Sequence, residues 1–157
     1  KESLRKAMFG EHLEYTVPCE NMNRLGKAKG ELVGGNLSIL YSLFGSVSAI
    51  DCTDKILFIE DLDEYLYHID RMMMNLKRNG CLDSLKGIIV GGMTKMNDNE
   101  IPWGKNALEI IDDITRIYNI PIIYNFPAGH MADNHALIFG RQVMIEVNDL
   151  DSKVIFE

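Results

Sequence analysis

Two ionisable side chains stand where apolar runs end. Ile56-Leu57-Phe58-Ile59 leads directly into Glu60 and Asp61, and Phe126-Pro127-Ala128-Gly129 leads into His130. Both runs have the content of buried strands, so Glu60 and His130 are predicted to emerge at strand ends. A carboxylate beside an imidazole accepts its ring N–H, fixes the tautomer and stabilises the imidazolium. Such a pair is two thirds of a hydrolase triad. The nucleophile is not evident. No G-x-S-x-G elbow occurs, Ser38 and Ser42 fall on a predicted helix, and Ser46 and Ser48 follow it. Cys52 and Cys81 have no visible activating context. The plainer alternatives are a solvated cap for Glu60 and a strand-closing loop histidine for His130.

Other candidates carry less. His12 and His68 sit in polar or helical settings. His135 follows His130 by five positions, without the helical spacing or the H-E-x-x-H glutamate of a metal site, so Asp133 and His135 are not expected to hold a metal. Asp98-Asn99-Glu100 lacks the spacing and glycine of a calcium loop. Gly34-Gly35-Asn36 lacks both G-x-G-x-x-G and the Walker lysine and reads first as a tight strand-to-helix turn; the secondary reading places it near the active site, with Asn36 as a candidate substrate contact. Trp103, the only tryptophan, lies in a polar loop and reads first as an anchor packing on the domain. No cofactor and no metal are expected.

The elements that must position these groups alternate along the chain. Residues 4–8 read as a short helix, 14–18 as a strand ended by Pro18, and 28–33 as a strand stopping at Gly34-Gly35. Asn36 is suited to cap a helix over 37–44, with Gly45 as its stop. Residues 55–59 form a buried strand. Leu62, Leu66, Ile69, Met73 and Leu76 then mark one apolar stripe over 61–78, with Asp61, Asp63 and Glu64 in the first turn and Lys77 and Arg78 in the last. A strand over 85–90, a loop over 93–104, a helix over 107–118 with Ile110, Ile111, Ile114 and Ile117 inward, and a strand over 121–126 follow. The tail reads as an antiparallel meander of strands over 136–139, 143–147 and 154–156. The fold class is therefore α/β with a mixed sheet, in a single domain over 1–157.

Composition agrees with one globular domain: 157 residues, 46% hydrophobic and 25% charged. The net charge of −7 and the absence of a basic run exclude an electrostatic nucleic-acid or anionic-membrane binder. No apolar span reaches the roughly 18 residues a membrane helix needs. Cys19, Cys52 and Cys81 form no C-x-x-C and are expected to stay unpaired, which fits a reducing compartment.

Four motifs in order extend the picture: Gly30-Glu31-Leu32-Val33-Gly34-Gly35-Asn36-Leu37-Ser38, Ile56-Leu57-Phe58-Ile59-Glu60-Asp61, Tyr67-His68-Ile69-Asp70-Arg71-Met72, and Pro127-Ala128-Gly129-His130. Together they resemble the C-terminal domain of the LD-carboxypeptidases, or muramoyltetrapeptide carboxypeptidases, to which the microcin-C immunity-type hydrolases are related. The resemblance covers nearly the whole chain. It implies a swivelling β/β/α, barrel-like domain that contributes Glu60 and His130 to a Ser-Glu-His triad. The serine and oxyanion hole would lie on an N-terminal nucleophile domain of the same protein, which the lack of an initiator methionine and of an elbow leads us to expect outside this chain. It also implies a murein tetrapeptide substrate, loss of its terminal D-alanine in cell-wall recycling, a cytoplasmic location, a homodimer and no cofactor. The chain departs at Ser46-Val47, where relatives often carry threonine and proline.

Two other readings are open at this point. One is the microcin-type amidase of the same family, acting on aminoacyl-adenylate analogues, with an aromatic such as Trp103 stacking on the base. The other is a swivelling binding or carrier module in which His130 is phosphorylated and Glu60 stands apart from it.

Overall fold

The computed structural model describes residues 1–157. Its elements are α1 (Glu2–Phe9), β1 (Glu14–Pro18), β2 (Gly26–Asn36), α2 (Leu37–Leu43), β3 (Ile56–Leu62), α3 (Leu66–Arg78), β4 (Gly87–Thr94), α4 (Ala107–Thr115), β5 (Ile122–Ile123), β6 (Gln142–Val147) and β7 (Asp151–Phe156). They build a seven-stranded sheet in the order β1-β7-β6-β2-β3-β4-β5.

One strand joins two kinds of sheet. Residues 26–31 of β2 pair antiparallel with β6, and residues 32–36 pair parallel with β3. On the parallel side, β3, β4 and β5 follow one another through the crossovers α3 and α4. On the antiparallel side, β6 and β7 form a hairpin and β1 pairs with β7 at the edge. The mixed α/β expectation is met.

Alternation along β3 divides the interior in two. Leu57 and Ile59 pack with the helical layer, among Leu37, Ile69, Met72, Met73, Leu76 and Ile111. Ile56 and Phe58 face the other cluster, with Val143, Ile145, Val154, Phe126 and Tyr15. A parallel strand with both faces covered reads as a continuous apolar run, which is why residues 56–59 showed no period-two pattern. The same alternation sends Glu60 to one face and Asp61 to the other.

Several boundaries differ from the sequence reading. β2 does not stop at Gly34-Gly35 but runs to Asn36, which sits opposite Glu60 in the ladder. β4 likewise runs past the expected end at residue 90 to Thr94. α3 begins at Leu66 rather than residue 61, and no acidic residue lies in its first turn. Asp61 is instead a buried strand residue, and Asp63 is held at φ 61 in the connection. α4 ends at Thr115, so Ile117 lies beyond the helix and is exposed rather than inward. The expected strand over 121–126 is reduced to two paired residues: Asn125 breaks it at φ 54, and beyond it only the Phe126 N–H still reaches β4, at the Val90 carbonyl. Residues 136–139 form no strand: the Ala136 carbonyl accepts from the Tyr15 hydroxyl and its N–H donates to Ser3.

The cysteine expectation is corrected as well. Cys52, just before β3, and Cys81, just after α3, are joined in a disulfide with Cα atoms 5.1 Å apart, and only Cys19 is free. A spacing of 29 residues gave no sign of it, because the strand–helix hairpin of β3 and α3 returns the chain to its starting level. The argument from unpaired thiols to a reducing compartment falls with it. No helix is long and apolar enough to cross a membrane.

Candidate active site

Glu60 and His130 meet. Their meeting starts in the ladder, where β3 and β4 lose register between Ile59 and Asp61, so that Asp61 pairs with Met93. Three steps on β4 face two on β3, and the irregularity falls on Glu60. Bulges re-aim side chains at the end of a ladder. Here the aim is toward the loop that follows β5.

His130 Nδ1 lies 2.7 Å from Glu60 Oε2, and the His130 backbone N–H donates to the same oxygen at 3.1 Å. The glutamate side chain is only 6% exposed, whereas the imidazole is 53% exposed. Burial makes the carboxylate depend on its hydrogen bonds, and two donors from one residue satisfy the same oxygen. A carboxylate only accepts, so Nδ1 carries the proton of the neutral ring and Nε2 is left as the basic nitrogen. The arrangement can take a proton at Nε2 and stabilise the imidazolium that results.

Gly129 makes the approach possible. A Cβ there would come within 2.7 Å of Glu60 Cγ and Oε2, and the residue sits at φ 104. A side chain at this position would both strain the backbone and push the carboxylate away. The small residues before His130 were the sequence signal for such a close approach.

Asp61, one residue on, does different work. Its carboxylate accepts from Asn36 Nδ2 at 2.8 Å, from the Ser38 N–H at 2.9 Å and from the Leu62 N–H at 2.9 Å. It therefore caps α2 rather than the helix that follows it in sequence. Asn36 caps α2 too, accepting from the Ile39 N–H at 3.1 Å and from Ser38 Oγ at 2.7 Å. Asn36 adjoins Glu60 across the ladder, but both ends of its amide are engaged internally.

Trp103 stands elsewhere. It lines a cleft of about 670 Å³ with Tyr41, Tyr67, Arg71 and Asn99. Glu60 lines a different pocket of about 250 Å³, with Gly35, Phe58, His135, Leu137 and Phe139. The two share no lining residue.

His135 is stacked on Tyr15 with ring centroids 4.7 Å apart, and its Nδ1 is buried without a partner. Burial pushes the Tyr15 hydroxyl above its ordinary value. No three His, Cys, Asp or Glu residues come together as metal ligands. His68 pairs with Glu64 at 2.7 Å and His12 lies 3.3 Å from Glu14, both away from the Glu60–His130 pair. Sequence reasoning missed Thr94, whose hydroxyl donates to the His130 carbonyl at 3.1 Å, and Asn134, which bonds the neighbouring peptide.

These features define a mixed α/β domain that presents an exposed imidazole hydrogen-bonded to a buried carboxylate. Comparison with known proteins gives the family. Residues 29–145 match the LD-carboxypeptidase C-terminal domain, and the chain belongs to that family. It is 36% identical over 138 residues to a probable murein peptide carboxypeptidase of Bacillus subtilis (strain 168), covering 86% of this chain and 43% of that protein. It is 30% identical over 132 residues to the microcin C7 self-immunity protein MccF of Escherichia coli, covering 83% of this chain and 37% of that protein. The fold superposes on the crystal structure of a muramoyltetrapeptide carboxypeptidase from Oxalobacter formigenes with a TM-score of 0.89 at 22% identity, over 99% of this chain and 53% of that one. The chain thus spans about half the length, or less, of the proteins it resembles.

Proposed function

We propose that this domain supplies the general base and its orienting carboxylate to a serine carboxypeptidase that removes the terminal D-alanine from murein tetrapeptides. The observation that carries the reading is the 2.7 Å contact between His130 Nδ1 and the buried Glu60 carboxylate. The nucleophilic serine and the oxyanion hole belong to a nucleophile domain outside residues 1–157. His130 Nε2 takes the serine proton as the serine oxygen attacks the carbonyl carbon of the scissile amide. The imidazolium then gives that proton to the departing D-alanine nitrogen, and the C–N bond breaks to leave an acyl-enzyme. Water repeats the cycle, with His130 accepting its proton and returning it to the serine. Glu60 keeps Nδ1 protonated and offsets the charge on the ring throughout.

The short Glu60–His130 contact supports this reading over a phosphohistidine carrier, whose histidine would stand without a carboxylate partner. Trp103, in its separate cleft, adds no support for the adenylate-type substrate. The cytoplasmic location and the homodimer rest on family resemblance alone.

The test is D-alanine release from a murein tetrapeptide by the enzyme that carries this domain together with its serine. Exchanging His130→Ala is expected to lower kcat by about 10⁴, and Glu60→Gln by about 10²–10⁴. Full turnover by either variant would refute the assignment, as would D-alanine release by residues 1–157 alone.

A further inference from the structure

His130 is set on a segment with no ladder of its own. Residues 127–141 contain neither helix nor strand, and more than half of the His130 side chain is exposed, so packing does not hold the ring. Glu60 is fixed by its strand, but a 2.7 Å contact needs both partners fixed. What holds the histidine side is a set of hydrogen bonds to the peptides around it.

The most specific of these comes from Asn134. Its Nδ2 donates to the Gly129 carbonyl at 2.8 Å, and its Oδ1 accepts from the Gly129 N–H at 3.2 Å. One side-chain amide thus grips both polar groups of the residue before His130. The two bonds also fix which way the amide points, since the reversed amide would face donor to donor and acceptor to acceptor. Gly129 is the residue that touches Glu60, and it sits at φ 104, a conformation that needs external support to persist. On the other flank, the Met131 N–H donates to the Gly129 carbonyl at 2.9 Å and Thr94 holds the His130 carbonyl. Asn134 itself is exposed at the rim of the pocket that holds Glu60, and both of its side-chain hydrogen bonds go to Gly129.

We propose that Asn134 is a positioning residue for His130: it clamps the Gly129 peptide so that His130 Nδ1 stays in line with Glu60. The inference rests on the proposed role of the Glu60–His130 pair and names what keeps that pair in register. It acts on His130 through the position of the Gly129 peptide.

The experiment is long-range ¹H–¹⁵N spectroscopy of the histidine rings in the full chain, comparing the parent with Asn134→Ala, Glu60→Gln and Asn148→Ala. The parent is expected to show His130 in the Nδ1–H form. Asn134→Ala should shift His130 toward a mixture of tautomers with little change in Tm. Asn148→Ala removes a comparable amide from the turn between β6 and β7 and should leave His130 unchanged. In the enzyme with its serine, Asn134→Ala should lower kcat by about 10²-fold, the scale expected of a misplaced catalytic group, with KM nearly unchanged. Should Asn134→Ala unfold the chain, Asn134→Asp is read in its place. It keeps the shape and the acceptor, removes the donor, and should also shift the tautomer. An unchanged His130 tautomer in the folded Asn134 variant, with a shifted one in Glu60→Gln, overturns the clamp alone. An unchanged tautomer in Glu60→Gln overturns the pair on which the clamp depends.

Discussion

The two halves of the candidate site are built by opposite means. Glu60 lies within a strand whose every residue from Ile56 to Asp61 is buried, flanked by parallel neighbours on both sides. His130 lies in a stretch of irregular chain, held by a bond from Thr94, by the two bonds between Asn134 and Gly129, and by the two that His130 itself donates to Glu60. The rigid half carries the charge, where burial demands fixed donors. The adaptable half carries the ring N–H donor, on an imidazole that is more than half exposed. Each glycine that permits their approach tests one half of this contrast.

The strand half should break hardest at Gly34. A Cβ there would lie 1.9 Å from the Phe58 carbonyl oxygen and 2.8 Å from its nitrogen, at φ 129. Both obstacles are backbone, so no side chain can turn aside. Replacement by alanine has to part β2 from β3, and with them the bed of Glu60. A loss on the order of 4 kcal/mol or more is expected, at the extreme of single substitutions. Urea unfolding measures it. A midpoint near that of the parent would show that β2 and β3 are not the rigid frame described here.

The loop half should break locally at Gly129. The obstacle to a Cβ there is the Glu60 side chain, at 2.7 Å, rather than backbone. The loop can retreat from it. Gly129→Ala is therefore expected to cost about 1–3 kcal/mol of stability, the strain of an unfavourable φ, while separating His130 from Glu60. The His130 ring spectrum and the chain's Tm measure the two effects. Retention of the Nδ1–H tautomer in this variant would mean that the pair does not depend on the close approach.

The same contrast explains what could be read from the sequence. Strands β3 and β4 were legible because burial on both faces leaves an apolar run, and the inward stripe of α3 was legible in its spacing. Glu60 and His130 were legible because ionisable groups at the ends of such runs are unusual. The start of α3 was misread because Asp61, Asp63 and Glu64 resemble a helix first turn. The fold spends Asp61 on α2, a partner 23 residues away that no local pattern names. Residues 136–139 were misread as a strand because apolar content predicts burial, not pairing: Leu137 and Phe139 line the pocket beside Glu60 while their backbone joins no ladder. Asn134 gave no signal at all, since a clamp on a peptide uses side-chain geometry that composition does not encode.

The smallest effect concerns Tyr124, where the chain leaves the sheet on its way to His130. Its N–H is held by Asn23 at 2.8 Å, and its buried hydroxyl lies 3.3 Å from Asp112. Burial, with a lesser contribution from the Asp112 charge, raises this hydroxyl well above the usual tyrosine value of about 10. Below that value both folded and unfolded chains keep the proton, and Tyr124 contributes its full share of stability. Above it the unfolded chain gives up the proton first, so stability falls as pH rises, by up to about 1.4 kcal/mol per pH unit until the folded value is reached. Tyr124→Phe removes that slope. It should cost about 0.5–1.5 kcal/mol at neutral pH, for the lost hydrogen bond, and unfold less steeply than the parent above about pH 10. Tyr15, also raised by burial, keeps part of the alkaline slope in both proteins. Thermal melts at a series of alkaline pH values measure the difference. Parallel curves would place the alkaline weak point on the loop side, at Tyr15 under His135, rather than at the end of the sheet.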